Sequence, residues 1–182
     1  MLSLASIDDK FNIRFEIIEN GSGVFHGILD EIVMNQAPSF VFVAPRRLLR
    51  VPAGLPLNTA MIIKSEAGTN YMLGEHGFAE SFQGTVFNAF RLFPTSSKFA
   101  LMRSSTRADL VTGLETNDRV EPIANIWGSY EPTPEQFDRE LRVAAETARF
   151  ITNHPIERGD IIDDKKVFRV DKELGLYIAT LS

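Results

Sequence analysis

Apolar and polar side chains alternate along several short stretches of this chain, which is the pattern of a β-strand with one buried face. The clearest stretch is residues 11–17, Phe-Asn-Ile-Arg-Phe-Glu-Ile, and turn residues at 19–23 end it. Residues 60–65 and 70–73 flank the turn residues 66–69 and therefore predict a hairpin. The same reasoning predicts further strands at residues 40–43, 85–93, 99–104, 120–130, 161–162, 167–170 and 174–181.

Two stretches have helical spacing instead. Apolar residues within 24–33 recur at a period near 3.6, which predicts a short helix. Residues 133–136, Thr-Pro-Glu-Gln, form a capping box with proline in the first turn and predict the start of a second helix. Periodicity does not decide how far this second helix runs. The β-forming residues at 146–152, followed by His154-Pro155, favour a helix of two or three turns and then a strand.

Short strands joined by polar turns predict a mainly β fold. We expect a small β-barrel C-terminal domain with one short helix, over residues 95–182, and a β-rich N-terminal domain over residues 1–94. The linker between them is predicted at residues 94–98, Pro-Thr-Ser-Ser-Lys. Polar connections are predicted at residues 74–83 and 104–118.

Composition narrows the function classes. The formal net charge is -5, so the chain lacks the basic surface that binds nucleic acid through its phosphates. The basic cluster at residues 46–50 is too short to change this and is interpreted as a solvated or subunit-contacting edge. Cysteine is absent, and the three histidines lack metal-ligand spacing, which argues against a metal site. No signal peptide and no long apolar run is present, so we expect a cytosolically made protein without a membrane partner.

The sequence offers no convincing catalytic group. Glu75 and His76 are adjacent, and adjacent strand residues point to opposite faces. Asp163 and Asp164 lie in a lysine-flanked turn where their charges are solvated. No Gly-x-Ser-x-Gly motif occurs. We therefore expect no enzymatic activity and no cofactor, and we interpret Trp127 as a core residue rather than a ligand platform.

A series of strand and turn residues carries a resemblance to a known family. Over about residues 97–182 the chain resembles the head-closure, or stopper, family of tailed bacteriophages, also called head-to-tail joining proteins. Members of that family usually lack an N-terminal region like residues 1–94. The segments that carry the resemblance are Thr112-Gly113, residues 126–132 (Ile-Trp-Gly-Ser-Tyr-Glu-Pro), Glu135, residues 146–151, residues 159–162 and residues 167–170.

The resemblance implies a virion structural protein of the phage neck, made in the host cytoplasm. It would form a homo-oligomeric ring that joins the portal or adaptor protein to the tail proteins and closes the DNA exit channel. Genomic DNA would pass through the lumen without sequence-specific binding, and acidic loops at the lumen would repel it. The candidate lumen or subunit-contact residues are Arg107, Asp109, Glu115 and Asp118.

Other functions remain open at this point. A tail, tail-terminator or baseplate component would have a similar β-rich pattern, and so would a β-barrel that binds a small ligand. In each case we expect the barrel core to include Trp127, Phe150, Phe168, Val170 and Ile178.

Overall fold

The described residues of the chain form two closed β-barrels. A computed structural model describes residues 12–31, 47–82, 85–108, 115–131 and 148–182, and the regular secondary structure within these ranges is β-strand. Barrel 1 consists of β1 Asn12–Glu19, β2 Gly23–Glu31, β3 Arg47–Pro52, β4 Ile62–Ser65, β5 Asn70–Phe82 and β6 Thr85–Thr95. Barrel 2 consists of β7 Ser97–Ala108, β8 Glu115–Glu131, β9 Ala148–Thr152, β10 Ile161–Ile162, β11 Lys165–Glu173 and β12 Leu176–Leu181.

The two barrels have the same strand order. Barrel 1 closes in the order β1-β2-β3-β6-β5-β4, and barrel 2 closes in the order β7-β8-β9-β12-β11-β10. Counted from one to six along the chain, both orders are 1-2-3-6-5-4. Closure pairs the outer strands of each sheet with one another, which removes the free edges that an open sheet would expose.

Each barrel has its own apolar core. In barrel 1, the fully buried Phe15 stacks on Phe25 with ring centroids 5.6 Å apart. In barrel 2, the fully buried Phe150 contacts Phe99 and Tyr130 edge to face, at centroid distances of 5.1 and 5.2 Å. Aromatic pairs in this geometry stabilise a core by more than their buried area alone.

The chain divides into two compact units close to the predicted linker. One unit contains Met1–Ser96 and Glu173–Leu176, and the other contains Ser97–Lys172 and Tyr177–Ser182. The predicted five-residue linker is not an extended connection, because β6 ends at Thr95 and β7 begins at Ser97. Within the described ranges, no helix is long and apolar enough to cross a membrane.

The helix predicted at residues 24–33 is wrong as far as Glu31, because residues 24–31 belong to strand β2, and residues 32–33 lie outside the described residues. Phe25 and Gly27 are buried while Val24 and His26 are exposed, which is the alternation of a strand. Phe25 and Leu29 fit a helical period and a strand period equally well, so spacing alone misassigned the segment. The second predicted helix and the strand at 40–43 lie outside the described residues.

Several strands were predicted at the right place. The hairpin around residues 66–69 joins β4 to β5, residues 85–93 lie in β6, and the strand predicted near 146–152 is β9. The polar connection predicted at residues 74–83 is wrong as far as Phe82, because β5 continues through it. Gln83 lies outside the described residues.

Candidate functional site

The strands β7 and β8 form a hairpin that is longer than the strands beside it. They contain 12 and 17 residues, whereas β10 contains two and β9 contains five. Strand β10 pairs with β7 only at Leu101 and Met102, and β9 pairs with β8 only from Gly128 to Glu131. We define the long hairpin as residues 103–108 and 115–121, where β7 and β8 are paired only with each other among the described strands.

The long hairpin contains three of the four residues predicted at a lumen or subunit contact. Arg107 pairs with Thr116, and Glu115 pairs with Ala108, so both belong to strands. Asp118 also lies in β8, next to an irregularity in the strand register. Asp109 lies outside the described residues. The loop predicted at 104–118 is therefore strand over most of its described length, because the polarity of a two-stranded ribbon was interpreted as that of a loop.

Apolar side chains are exposed at the base of the long hairpin. Val120 is 43% exposed and Ile123 is 46% exposed, although both belong to a strand. Pro122 lies between them and is exposed as well. Proline has no N–H to donate, so it occurs at edge strands and bulges rather than inside a sheet.

The residues predicted for the barrel core differ in their placement. Phe150 is buried in the core of barrel 2, and Val170 packs against that core. Ile178 is buried and pairs with Ile151. Its neighbour Ala179 belongs to the core cluster, so Ile178 lies on the opposite face of β12.

Trp127 and Phe168 do not belong to the core of barrel 2. Trp127 is half-buried, with the Lys98 ammonium 5.2 Å from its ring centroid. Phe168 is 60% exposed, because its neighbour Val167 occupies the buried face of β11. The Arg158 guanidinium lies 5.6 Å from the Phe168 ring centroid and covers it instead.

A buried carboxylate fixes the segment before β10. Asp160 is 1% exposed and accepts hydrogen bonds from Arg103 Nε at 2.7 Å and Arg103 Nη2 at 2.9 Å. The backbone N–H of Glu157 donates to the same carboxylate at 2.8 Å. The hydrogen bond to Asp160 is the main cause that raises the pKa of Arg103 above its ordinary value. Sequence reasoning missed this pair because a glycine followed by an aspartate is typical of an ordinary turn.

The strand register shows which residues are equivalent in the two barrels. In barrel 1, Ile17 of the first strand pairs with Ile63 of the fourth. In barrel 2, Leu101 of the first strand pairs with Ile162 of the fourth. Counting from these anchors along the first two strands, the equivalent positions are Phe15 with Phe99, Phe25 with Ile126, and Gly27 with Gly128.

The equivalent glycines perform the same packing role. A Cβ added at Gly27 would lie 2.5 Å from Leu49 Cδ1, and a Cβ added at Gly128 would overlap the ring of Phe150. Leu49 and Phe150 both belong to the third strand of their barrel and to its core. In both barrels the second strand therefore contains a glycine that makes room for a core side chain of the third.

The segment before the fourth strand is also repeated. Residues 56–63, Pro-Leu-Asn-Thr-Ala-Met-Ile-Ile, align without a gap with residues 155–162, Pro-Ile-Glu-Arg-Gly-Asp-Ile-Ile. In each segment the N–H of the sixth residue donates to the carbonyl of the third, at 3.2 Å in barrel 1 and 3.1 Å in barrel 2. The same turn geometry thus recurs at the same place in both barrels.

An ion pair also joins the second and third strands in both barrels. Asp30, three residues after Gly27, pairs with Arg50. Glu131, three residues after Gly128, lies 3.9 Å from Arg149 Nη1. The two arginines are not at equivalent positions, because Leu48 is the residue that pairs with Asp30 as Arg149 pairs with Glu131. The shared strand order, the equivalent glycines and the repeated turn show that the two barrels have one topology.

The mouth of barrel 2 is the end where β8 approaches the turn between β10 and β11, and Tyr130 fills it. The Tyr130 hydroxyl donates to Asp163 Oδ2 at 3.3 Å, and the Lys165 ammonium lies 5.4 Å from the ring centroid. Burial, followed by the charge of Asp163 and its hydrogen bond, raises the pKa of Tyr130 to about 12.

The mouth of barrel 1 is the equivalent end and contains a cavity of about 320 Å³. Leu29 takes the place of Tyr130, because each follows the equivalent glycine by two residues. The cavity is also lined by Ile13, Asp30, Arg47, Glu66 and Tyr71. Arg47 Nη1 donates to the Tyr71 hydroxyl oxygen at 2.8 Å.

Neither a metal-binding cluster among the described residues nor a similar known protein indicates a function. Among the described residues, no group of three or more His, Cys, Asp or Glu side chains could hold a metal ion. Glu75 lies in β5 and is exposed, so it does not form a buried acid–base pair. No protein-family model, no curated protein and no solved structure matches this chain.

Proposed function

We propose that this protein is a non-catalytic structural subunit of a tailed-phage neck. Copies of the chain form a ring that joins the portal or adaptor protein to the tail proteins and closes the DNA exit channel. The proposal is supported by the segments that resemble the head-closure family, of which four overlap β8, β9, β10 and β11. It is also supported by the small closed barrel to which these strands belong. The charge of -5 per subunit, repeated around a ring, repels DNA phosphates and keeps the lumen from binding the genome.

The observation that carries the proposal is the long hairpin. A two-stranded ribbon is marginally stable in water when nothing packs against it. Beyond Arg103 the paired residues of β7 and β8 have no third strand beside them among the described residues. The exposed Val120 and Ile123 at its base add apolar surface that a neighbouring subunit would bury. The hairpin therefore suits a role as the element that contacts the next copy in the ring.

Shortening the hairpin tests this role. Replacing residues 106–118 with Asn-Gly would connect the paired residues Ser105 and Arg119 through a tight turn and leave both barrels intact. We expect the full chain to form closed rings when it is co-expressed with the portal and adaptor proteins of its phage. We expect the shortened chain to remain monomeric by light scattering and negative-stain electron microscopy.

Matched substitutions separate the contact from general surface effects. Val120→Lys should reduce ring formation at least tenfold, whereas Val24→Lys, at a valine of barrel 1 that is 52% exposed, should leave it unchanged. Ring formation by the shortened chain at the level of the full chain would contradict the proposal. So would a virion reconstruction that places this chain anywhere but between portal and tail.

A further inference from the structure

We propose that the mouth of barrel 1 binds a phenol group, in the place where barrel 2 holds its own Tyr130 ring. The inference rests on the comparison of two barrels with the same strand order within the chain and does not depend on the neck function. In barrel 2 the mouth is filled by a side chain of the protein. In barrel 1 the equivalent space is a cavity of about 320 Å³, which lies within the usual size range of small-ligand sites.

The apolar part of the cavity matches an aromatic ring. Leu29 stands at the position of Tyr130 and has no ring, and Leu29, Ile13 and Ala67 provide apolar walls to the cavity. Leu29 and Ile13 pack against the core of barrel 1 and are only partly buried, so burying them further under a ligand is favourable. A ring held there would contact β2, which is the second strand of barrel 1 and is equivalent to β8, the strand that carries Tyr130 in barrel 2.

The polar part of the cavity matches a hydroxyl group. In barrel 2 the acceptor for the Tyr130 hydroxyl is Asp163, in the turn between the fourth and fifth strands. In barrel 1 the equivalent turn provides Glu66, which is one of the residues that line the cavity. The Tyr71 hydroxyl oxygen accepts from Arg47, and a hydroxyl group that accepts can also donate its own hydrogen to a ligand oxygen.

The charges at the cavity favour a neutral ligand with an aromatic face. Asp30 is neutralised by its ion pair with Arg50. Arg47 and Glu66 then contribute one charge of each sign, so neither a carboxylate nor an ammonium ligand gains from the whole site. Arg47 provides a cation at the mouth of barrel 1, as Lys165 does over the Tyr130 ring in barrel 2, and guanidinium groups interact favourably with aromatic faces.

Titration of the full chain with p-cresol tests the site. We expect saturable binding with a dissociation constant of about 0.1–1 mM, which is realistic for a ligand of this size. Toluene lacks the hydroxyl and should bind at least fivefold more weakly, and Glu66→Gln should reduce that difference. Hexanoate should not compete. Amide chemical shifts should report changes at Leu29, Arg47 and Tyr71.

The substitution Leu29→Tyr provides the decisive variant. It gives barrel 1 the ring that barrel 2 already has, so it should remain folded, raise the melting temperature and reduce p-cresol binding at least tenfold. The control Val24→Tyr places the same side chain on the exposed face of β2 and should change neither quantity. A Leu29→Tyr variant that binds p-cresol as the parent does would overturn the proposal. So would equal affinities for p-cresol and toluene, or no binding of either.

Two sources could supply the phenol group, and peptides distinguish them. A peptide Gly-Gly-Tyr-Gly-Gly that binds at least as tightly as p-cresol and is displaced by it would identify a tyrosine of a partner protein. Binding of p-cresol without binding of the peptide would identify a free small molecule. Both results require the same cavity and must be lost in the Leu29→Tyr variant.

Discussion

Tyr130 combines a buried ring with a hydroxyl that remains close to charge. Its ring contacts Phe99 and Phe150 in the core, while its hydroxyl donates to Asp163. Ionising the hydroxyl would place a negative charge in a partly buried site beside a carboxylate, and this raises its pKa to about 12. The folded state therefore keeps the Tyr130 proton at pH values where the unfolded chain has released it.

This retention makes stability depend on alkaline pH. Between the ordinary tyrosine pKa of 10.0 and the raised value of about 12, the folded state binds more protons than the unfolded state. The free energy of unfolding should therefore fall as the pH rises from about 10 to about 12, by about 1 kcal/mol after allowance for solvent screening. Urea unfolding at several pH values measures this fall.

Two variants isolate the contribution of Tyr130. Tyr130→Phe removes the titrating group, so its unfolding free energy should lack this part of the alkaline loss. Asp163→Asn removes the neighbouring charge and should shift the tyrosinate absorbance titration to lower pH. Asn tolerates the positive φ of 52° found at Asp163. An identical pH dependence for Tyr130→Phe and the parent would show that another group causes the alkaline loss.

The predicted core residues were only partly correct, because side chains along a strand point alternately to the core and to solvent. Phe150 and Phe168 both looked like core residues, yet only Phe150 lies on the inner face of its strand. Because neighbouring strand residues point to opposite faces, a one-residue choice of register decides between core and solvent. Val167 occupies the inner face, and the sequence Val-Phe-Arg-Val does not reveal which of the first two residues does.

At the scale of elements, hairpins were predictable and the β2 strand was not. The turn residues at 66–69 separate two short apolar stretches, and this local signal is enough to specify the β4–β5 hairpin. Strand β2 depends on pairing with β1 on one side and β3 on the other. Such pairing with other strands overrides the local helical spacing. The residues of β2 alone do not reveal this pairing.

The pair of Arg103 and the buried Asp160 connects β7 to the segment before β10. Removing the Asp160 carboxylate would take away the closer charge partner of Arg103, leave it only the exposed Glu157 carboxylate at 3.4 Å, and leave the Glu157 N–H without this acceptor. Asp160→Ala should therefore lower the free energy of unfolding by about 2–3 kcal/mol. The cost stays below that of a fully buried pair because the Arg103 side chain is 39% exposed.

An exposed pair provides the control for this prediction. Arg169 and Asp171 are in hydrogen-bond contact at 2.9 Å, but their side chains are 63% and 38% exposed. Asp171→Ala should therefore cost less than about 1 kcal/mol. A double-mutant cycle on Arg103 and Asp160 should give a coupling energy above about 1 kcal/mol. Equal costs for Asp160→Ala and Asp171→Ala would contradict a structural role for the pair of Arg103 and Asp160.

At the scale of the whole molecule, the shared topology of the two barrels changes the interpretation of residues 1–94. The β-rich character of this region was predictable, but the strand order that it shares with residues 95–182 was not. The eight-residue segments that begin at Pro56 and at Pro155 align without a gap but are identical at only three positions, one Pro and two Ile. A barrel needs apolar side chains on one face and room at a few close contacts, and many sequences satisfy both demands. The shared topology became visible only through strand order and register.

Equivalent core positions should respond alike to the same substitution. Ile63 and Ile162 are both fully buried, and each pairs with the first strand of its own barrel. Truncation to alanine removes a buried aliphatic side chain and leaves a cavity, at a cost of about 2–4 kcal/mol. Ile63→Ala should accelerate amide hydrogen exchange chiefly in barrel 1, and Ile162→Ala chiefly in barrel 2, with costs that agree within about 1 kcal/mol.

Exposed isoleucines in the same barrels are the matched controls for this pair. Ile18 is 37% exposed in β1 and Ile123 is 46% exposed in β8, so alanine at either position should cost less than about 1 kcal/mol. If Ile63→Ala and Ile162→Ala left the exchange of their own barrels unchanged, the two isoleucines would not hold equivalent core positions. Because each barrel has a separate core cluster around its isoleucine, we expect the exchange maps of the two variants to be complementary.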